Sequence, residues 1–281
     1  MRTRIAQRTL FPIGLGTWHM GDDAAKRKAE LKALRTGIET GAEVIDTAEM
    51  YGEGNSGSLV GEAIRPFARE ELFLISKVYP WNAGEKDLPL SLDNSLRRLQ
   101  TDYLDLYLLH WTGNIPVAET IEAMEKAKNA GKIKAWGVSN FDVSDLSDMY
   151  EAAQGQYCAA NEVLYNLGQR GIEFDLLPYM QERKLPLIAY APIAQGDQLG
   201  THLLAKSSLL EVAQNHQATA FQILLAWSIR NGQTIAIPQT SSEKHVMENL
   251  QAAEIKLTPA EEELLDKDFP KPMKKQPLAI I

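Results

Sequence analysis

Between residues 104 and 138 the chain reads LDLYLL (Leu104–Leu109), then PVAETIEAMEKAKN (Pro116–Asn129), then IKAWGV (Ile133–Val138). The two outer runs are short and apolar, as in strands buried on both faces. The segment between them places Ile121, Met124 and Ala127 at helical spacing, so the unit reads as strand, helix, strand. The pattern extends in both directions. Further strands are expected at Ile13–Gly16, Glu43–Ile45, Leu72–Ser76, Cys158–Asn161, Leu187–Ala189 and Thr234–Ile237, which makes eight. Amphipathic helices are expected at Ala25–Thr40, Leu90–Leu99, Glu173–Arg183, Phe221–Arg230 and Ser242–Ala252. Gly41, Gly131 and Gly232 fall near helix ends, where a positive φ is useful.

Eight strands alternating with helices over ~250 residues predict a closed (β/α)8 barrel. An open doubly wound sheet is the structural alternative. It is disfavoured because Gly14-Leu15-Gly16 is followed by Thr17-Trp18, not by the phosphate-binding glycine of that fold. Arg4–Phe11 is expected to form a hairpin across the barrel bottom. Thr258-Pro259-Ala260-Glu261 combines a capping box with a proline at the first helical position, so a last helix runs to about Lys267. Phe269–Ile281, with three prolines, reads as an irregular tail. No repeat or linker divides the chain, and residues 1–281 are expected to form one barrel domain.

Composition narrows the function. The chain has 281 residues, of which 44% are hydrophobic and 23% charged, an ordinary globular balance. With 29 basic and 37 acidic residues the net charge is −8, which argues against nucleic acid as a partner. The basic cluster Lys271, Lys274 and Lys275 reads as a solvated tail. No apolar run is long enough to span a membrane and no secretory signal follows Arg2 and Arg4. The one cysteine, Cys158, lies in an apolar run and reads as a buried thiol, which suits a cytoplasmic location. A monomer or weak homo-oligomer is expected.

In a (β/α)8 barrel, chemistry collects where strands end. The polar residues that close the apolar runs are Asp46, Lys77, His110, Ser139 with Asn140, Glu162 and Tyr190. Singly, each has a bland reading as a cap or a structural hydrogen-bonder. One fold places them all on one rim.

The motifs at these positions are distinctive. Gly14-Leu15-Gly16-Thr17-Trp18, Ile45-Asp46-Thr47-Ala48-Glu49-Met50-Tyr51-Gly52 and Ser76-Lys77 are followed in order by three more. These are Asp102–Trp111, Gly137-Val138-Ser139-Asn140-Phe141 and Ile237-Pro238. In this the sequence resembles the aldo-keto reductases, and within them the bacterial branch of methylglyoxal and aldehyde reductases. The resemblance implies a barrel that reduces small carbonyls with NADPH. It places the catalytic tetrad on Asp46, Tyr51, Lys77 and His110.

The chemistry agrees. Hydride delivery to a carbonyl leaves an alkoxide, and a general acid must protonate it. Tyr51 can serve if Lys77 draws its pKa down from the usual ~10. Asp46 would hold Lys77, and a neutral His110 would orient the carbonyl oxygen.

The resemblance also implies the cofactor contacts. Ser139 and Asn140 would bind the carboxamide. Glu162 stands where many members have glutamine, so it can accept from the amide but, when ionised, not donate. Tyr190 would stack on the ring, and Thr17, Trp18 and Asp46 are expected as further cofactor-binding residues. Pro238, Gln239 and Thr240 lead into a helix whose N-terminus suits a phosphate. Gln239 and His245 replace the family's lysine and arginine at the 2′-phosphate, while Glu248 and Asn249 match its adenosine contacts. NADPH is therefore expected to be preferred only mildly, with NADH also accepted. Trp18, Tyr51, Trp81, His110 and Trp111 are expected to line an apolar substrate mouth, with Met20 and Met50 as further candidates. No metal is required. Two other readings of the residues are a cofactor-binding regulatory subunit on this fold and a lyase using Lys77 as a Schiff-base amine.

Overall fold

A computed structural model describes residues 2–197 and 202–281. Strands β1 (Thr3–Ile5) and β2 (Arg8–Leu10) form an antiparallel hairpin in the register Thr3↔Leu10. Eight further strands follow, all parallel to their neighbours and in sequential order. They are β3 (Leu15–Gly16), β4 (Val44–Asp46), β5 (Phe73–Val78), β6 (Leu104–Leu109), β7 (Ile133–Ser139), β8 (Asn161–Leu164), β9 (Leu187–Tyr190) and β10 (Thr234–Ala236).

The sheet closes between its first and last strands. Gly14 N donates to Ala236 O at 2.8 Å, Ala236 N to Pro12 O at 2.9 Å, and Gly16 N to Pro238 O at 3.0 Å. The seam is tight enough to require glycine. A Cβ on Gly16 would lie 2.5 Å from Ile237 O. The closed (β/α)8 barrel read from the alternation is thus the fold, and the open-sheet alternative falls away.

The period-2 geometry of the strands splits the core into two layers. In β6, Leu106 and Leu108 point inward to join Val44, Phe73, Ile75 and Ile235 in the barrel interior. Tyr107 and Leu109 point outward into the larger cluster beneath the helices. Ile5 and Leu10 of the hairpin belong to the inner cluster. The hairpin therefore plugs the N-terminal end of the barrel, as expected, and Thr3 Oγ1 ties it to Thr234 O at 3.2 Å. This leaves the C-terminal end for chemistry.

Most helices lie where the periodicity puts them: Arg27–Glu39, Asp87–Leu99, Val117–Asn129, Ala220–Ile229 and Glu243–Gln251. The Thr258 capping box starts the helix Pro259–Asp268, as read. Gly41, Gly131 and Gly232 all have positive φ. Cys158 is buried, and burial pushes its thiol up to about 12. Three expectations need correction. The sixth barrel strand is Asn161–Leu164, three residues later than Cys158–Asn161. Pairing with β9 begins at Asn161↔Leu187, beside Pro186, which has no N–H to donate. The segment Glu173–Arg183 divides into a turn at Gly171–Glu173 and a helix Leu176–Glu182, because Asp175 caps Leu176 N at 2.8 Å. Helices Asn55–Ile64, Val143–Glu151 and Ser207–Asn215 are additional.

Candidate active site

Four neighbouring elements bring the tetrad together. β4 ends on Asp46, the following turn carries Tyr51, Lys77 is the penultimate residue of β5, and His110 directly follows β6. Lys77 is fully buried and its ammonium is the hub. Nζ donates to Asp46 Oδ1 at 2.5 Å, Tyr51 Oη at 3.1 Å and Thr47 O at 3.2 Å. It also lies 3.2 Å from Glu162 Oε1. The Tyr51 and His110 rings meet edge to face, their centroids 6.0 Å apart.

The burial of these groups sets their charge. Burial disfavours the Lys77 ammonium, but Asp46 and Glu162 outweigh it and hold its pKa above the ordinary lysine value. An amine held protonated between two carboxylates is a poor nucleophile, which counts against the Schiff-base reading of Lys77. Burial, with Lys77 adding to it, drives His110 down to about 2, so its imidazole is neutral. Its Nδ1 is buried without a protein partner. Tyr51 corrects the sequence reading. Lys77 does pull the phenol toward ionisation, but desolvation is larger, and the net direction is up. The hydroxyl thus keeps its proton throughout the neutral range. Burial and the neighbouring Asp46 raise Glu162 to about 8.

A second layer holds this arrangement. Thr17 Oγ1 donates to Asp46 O at 2.8 Å, and Ser56 Oγ donates to Thr17 Oγ1 at 2.7 Å. Thr17 is fully buried, so its hydroxyl is committed to fixing the end of β4. The sequence reading missed Ser56, whose signal is only a serine in a small-residue helix.

The aromatic residues form a rim. Trp81 stacks on Tyr79 at 4.3 Å and meets Trp111 edge-on at 5.8 Å. Trp111 lies 4.8 Å from His110, and Trp18 lies 6.5 Å from Tyr51, all between ring centroids. Trp81 is 59% exposed, as a mouth residue would be. Tyr79 was not singled out from the sequence, yet it joins Trp81 to Trp111. Glu49 fixes this loop, Oε1 accepting from Tyr79 N at 2.7 Å. Met20 is fully buried in the core and does not line the mouth; Met50 is half-buried.

A polar group comes from the end of β7 and from β8 and β9. Ser139 Oγ donates to Glu162 O at 2.9 Å, and Asn140 Nδ2 donates to His110 O at 3.1 Å. Tyr190 Oη donates to Asn140 Oδ1 at 2.8 Å. Among the described residues, Glu162 Oε2 is buried with no amide, ammonium or hydroxyl partner. An orphaned acceptor beside amide and hydroxyl groups suits a ligand amide. Farther along the rim, Pro238, Thr240 and Asn249 join Gly16 and Leu250 around a narrow cleft. Ser242 caps the helix Glu243–Gln251 by accepting from His245 N at 3.4 Å. Gln239 and His245 are exposed at this helix start, and Lys244 is paired with Glu248 at 3.6 Å.

A protonated tyrosine, a buried lysine–carboxylate cluster and a neutral histidine on the C-terminal rim define a barrel oxidoreductase. Residues 12–267 match the aldo/keto reductase family, and the chain belongs to it. The chain is 48% identical to methylglyoxal reductase YeaE of Escherichia coli (strain K12) over 273 residues, 97% of this chain and 96% of the relative. It is 32% identical to a glyoxal reductase of Bacillus subtilis (strain 168), over 91% and 87% of the two chains. Among solved structures it superposes on an aldo/keto reductase from Klebsiella pneumoniae in complex with NADP and acetate. That match has a TM-score of 0.98 and 48% identity, covering 100% of this chain and 99% of the other. Among the described residues, no helix is long and apolar enough to cross a membrane.

Proposed function

We propose that the enzyme reduces small aldehydes and dicarbonyls such as methylglyoxal with NADPH, with Tyr51 as the proton donor. The observation that carries this reading is the contact of Tyr51 Oη with Lys77 Nζ at 3.1 Å beside a neutral His110. When bound, the reduced nicotinamide supplies the hydride. The N–H of His110 donates to the carbonyl oxygen and orients it. Tyr51 then transfers its hydroxyl proton to that oxygen as negative charge develops there. The Lys77 ammonium stabilises the phenolate left behind, and so lowers the barrier only as the transfer proceeds. Asp46 holds Lys77 in place through the 2.5 Å contact.

Ser139, Asn140 and Glu162 are the residues that would hold the carboxamide, and Oε2 of Glu162 is the acceptor for its amide. Tyr190 would face the ring. Pro238, Gln239, Thr240, His245, Glu248 and Asn249 would hold the adenosine end, with Thr17 and Trp18 shaping the near side. The aromatic rim of Trp18, Trp81 and Trp111 favours neutral carbonyls over phosphorylated or carboxylated ones. A panel of aldehydes, ketones and sugar phosphates with both reduced nicotinamides tests the reading. Methylglyoxal or an aromatic aldehyde should give a higher kcat/KM than any sugar phosphate. The reverse order would overturn the substrate class, and an absence of turnover would favour a binding role.

A further inference from the structure

One ammonium serves two buried carboxylates in this site. Lys77 Nζ lies 2.5 Å from Asp46 Oδ1 and 3.2 Å from Glu162 Oε1, and all three side chains are shut off from solvent. Glu162 faces two other titratable groups, Tyr51 on the turn after β4 and Tyr190 on β9. Burial holds both phenols in their protonated, neutral form. Ser139 and Asn140 on the adjoining strand carry no charge, and His110 is neutral. Two ionised acids would therefore leave one uncompensated negative charge in a dry site, and a single proton removes it. Asp46 has the shorter contact to Lys77, so the charge rests on it, although burial raises its carboxyl above the ordinary value as well. Glu162 has the longer contact to Lys77, and its carboxyl also lies against that of Asp46, where a proton on Glu162 bridges the two acids.

The nicotinamide ring is neutral when reduced and cationic when oxidised. On the reading above, which this inference rests on, that ring lies beside Ser139, Asn140 and Glu162. We propose that Glu162 matches its charge to the ring: its carboxyl keeps a proton beside the reduced cofactor and releases it to solvent when the oxidised cofactor binds. Linkage makes the effect reciprocal. The cationic ring favours the carboxylate, and the carboxylate favours the cationic ring. Glu162 titrates from about 8 in the free enzyme, so the exchange falls in the range where cells operate. Product cofactor would be held more tightly as pH rises, and reduced cofactor would compete better as pH falls.

The test is equilibrium binding of NADP+ and NADPH to the intact enzyme from about pH 6.5 to about 9, read by tryptophan fluorescence. Calorimetry of NADP+ binding in two buffers of different ionisation enthalpy counts the protons released. The ratio Kd(NADP+)/Kd(NADPH) should fall with rising pH below about 8, by up to ~tenfold per unit if coupling is complete. The adenosine 2′-phosphate titrates in both cofactors and cancels from the ratio. NADP+ should release protons at neutral pH where NADPH does not. The ratio should be flat in Glu162→Gln, whose amide cannot ionise. A flat ratio with no proton release in the wild type would overturn the proposal without any variant. A wild-type slope retained by folded Glu162→Gln would overturn it equally. Failure of both nicotinamides to bind would instead overturn the reading of the site on which it rests.

Discussion

Replacing Lys77 with methionine should expose the cost of the buried acids, and the structure fixes how that cost varies with pH. Methionine fills much of the lysine's volume but removes the only cation among the described residues in contact with Asp46 and Glu162. In the wild type Glu162 already holds a proton near neutral pH, so the new burden falls on Asp46. The cheapest outcome is protonation of Asp46 in the folded state. Burial already raises the Asp46 carboxyl in the wild type, so the variant adds at most the cost of protonating it at pH 7 from its ordinary value of 3.8, about 4 kcal/mol at about 1.4 kcal/mol per unit. That agrees with the ~3–5 kcal/mol typical of breaking a buried ion pair. The folded variant then binds more protons than the unfolded chain, so its stability falls as pH rises above that ordinary value. The penalty should shrink to about 1.5 kcal/mol at pH 5. Urea unfolding followed by the buried tryptophans Trp136 and Trp227 measures it, with wild type and variant compared at each pH. The double variant K77M/D46N should recover most of the loss, because it removes the charge along with its partner. A penalty that is the same at pH 5 and pH 7, or below about 1 kcal/mol at both, would refute the assignment of charge in this cluster.

Tyr51→Phe removes the proton donor but no cofactor contact, so kcat should drop by about 10²–10⁴ while NADPH binding, read by fluorescence, changes little. Because His110 is held near 2, kcat/KM should show no acid limb from this residue between about pH 5 and 8; an imidazole NMR titration in that range would contradict it. Gln239→Lys would return a cation to the exposed start of the helix Glu243–Gln251. It should sharpen the preference for NADPH over NADH by about tenfold, mainly through KM, at ~1.5–3 kcal/mol per charge-assisted contact. A wild-type NADPH preference beyond ~10³ that Gln239→Lys leaves unaltered would sink the weakened phosphate clamp.

The sequence exposes the barrel because its strands are buried on both faces, and such strands read as uninterrupted apolar runs. Leu104–Leu109 and Ile133–Val138 are found within a residue of their observed bounds. The helix Asn55–Ile64 escaped because Gly57 and Gly61 lower its helical propensity. Its reason is tertiary: a Cβ on Gly61 would strike the backbone oxygen of Arg98. The tetrad was legible because strand ends mark it in one dimension. The direction of the Tyr51 shift was not, because Lys77 is visible as a neighbour while desolvation exists only once the chain surrounds the phenol. Tyr79 was hidden for a related reason. One aromatic in a loop carries no periodic signal, and its value comes from stacking on Trp81 and bridging to Trp111.

The seam that joins Gly14 to Ala236 and Gly16 to Pro238 also governs when this protein can first become an enzyme. Those partners lie 222 residues apart, so the ring closes through one of the least local contacts available to it. During synthesis, β3 to β9 can pair in order as they emerge, but until β10 follows they form a sheet with two bare edges. In that interval all four tetrad residues have been made, and the last strand that shapes their rim has not. Until β10 has left the ribosome, the nascent chain therefore carries paired strands with unprotected edges, open to edge-to-edge association.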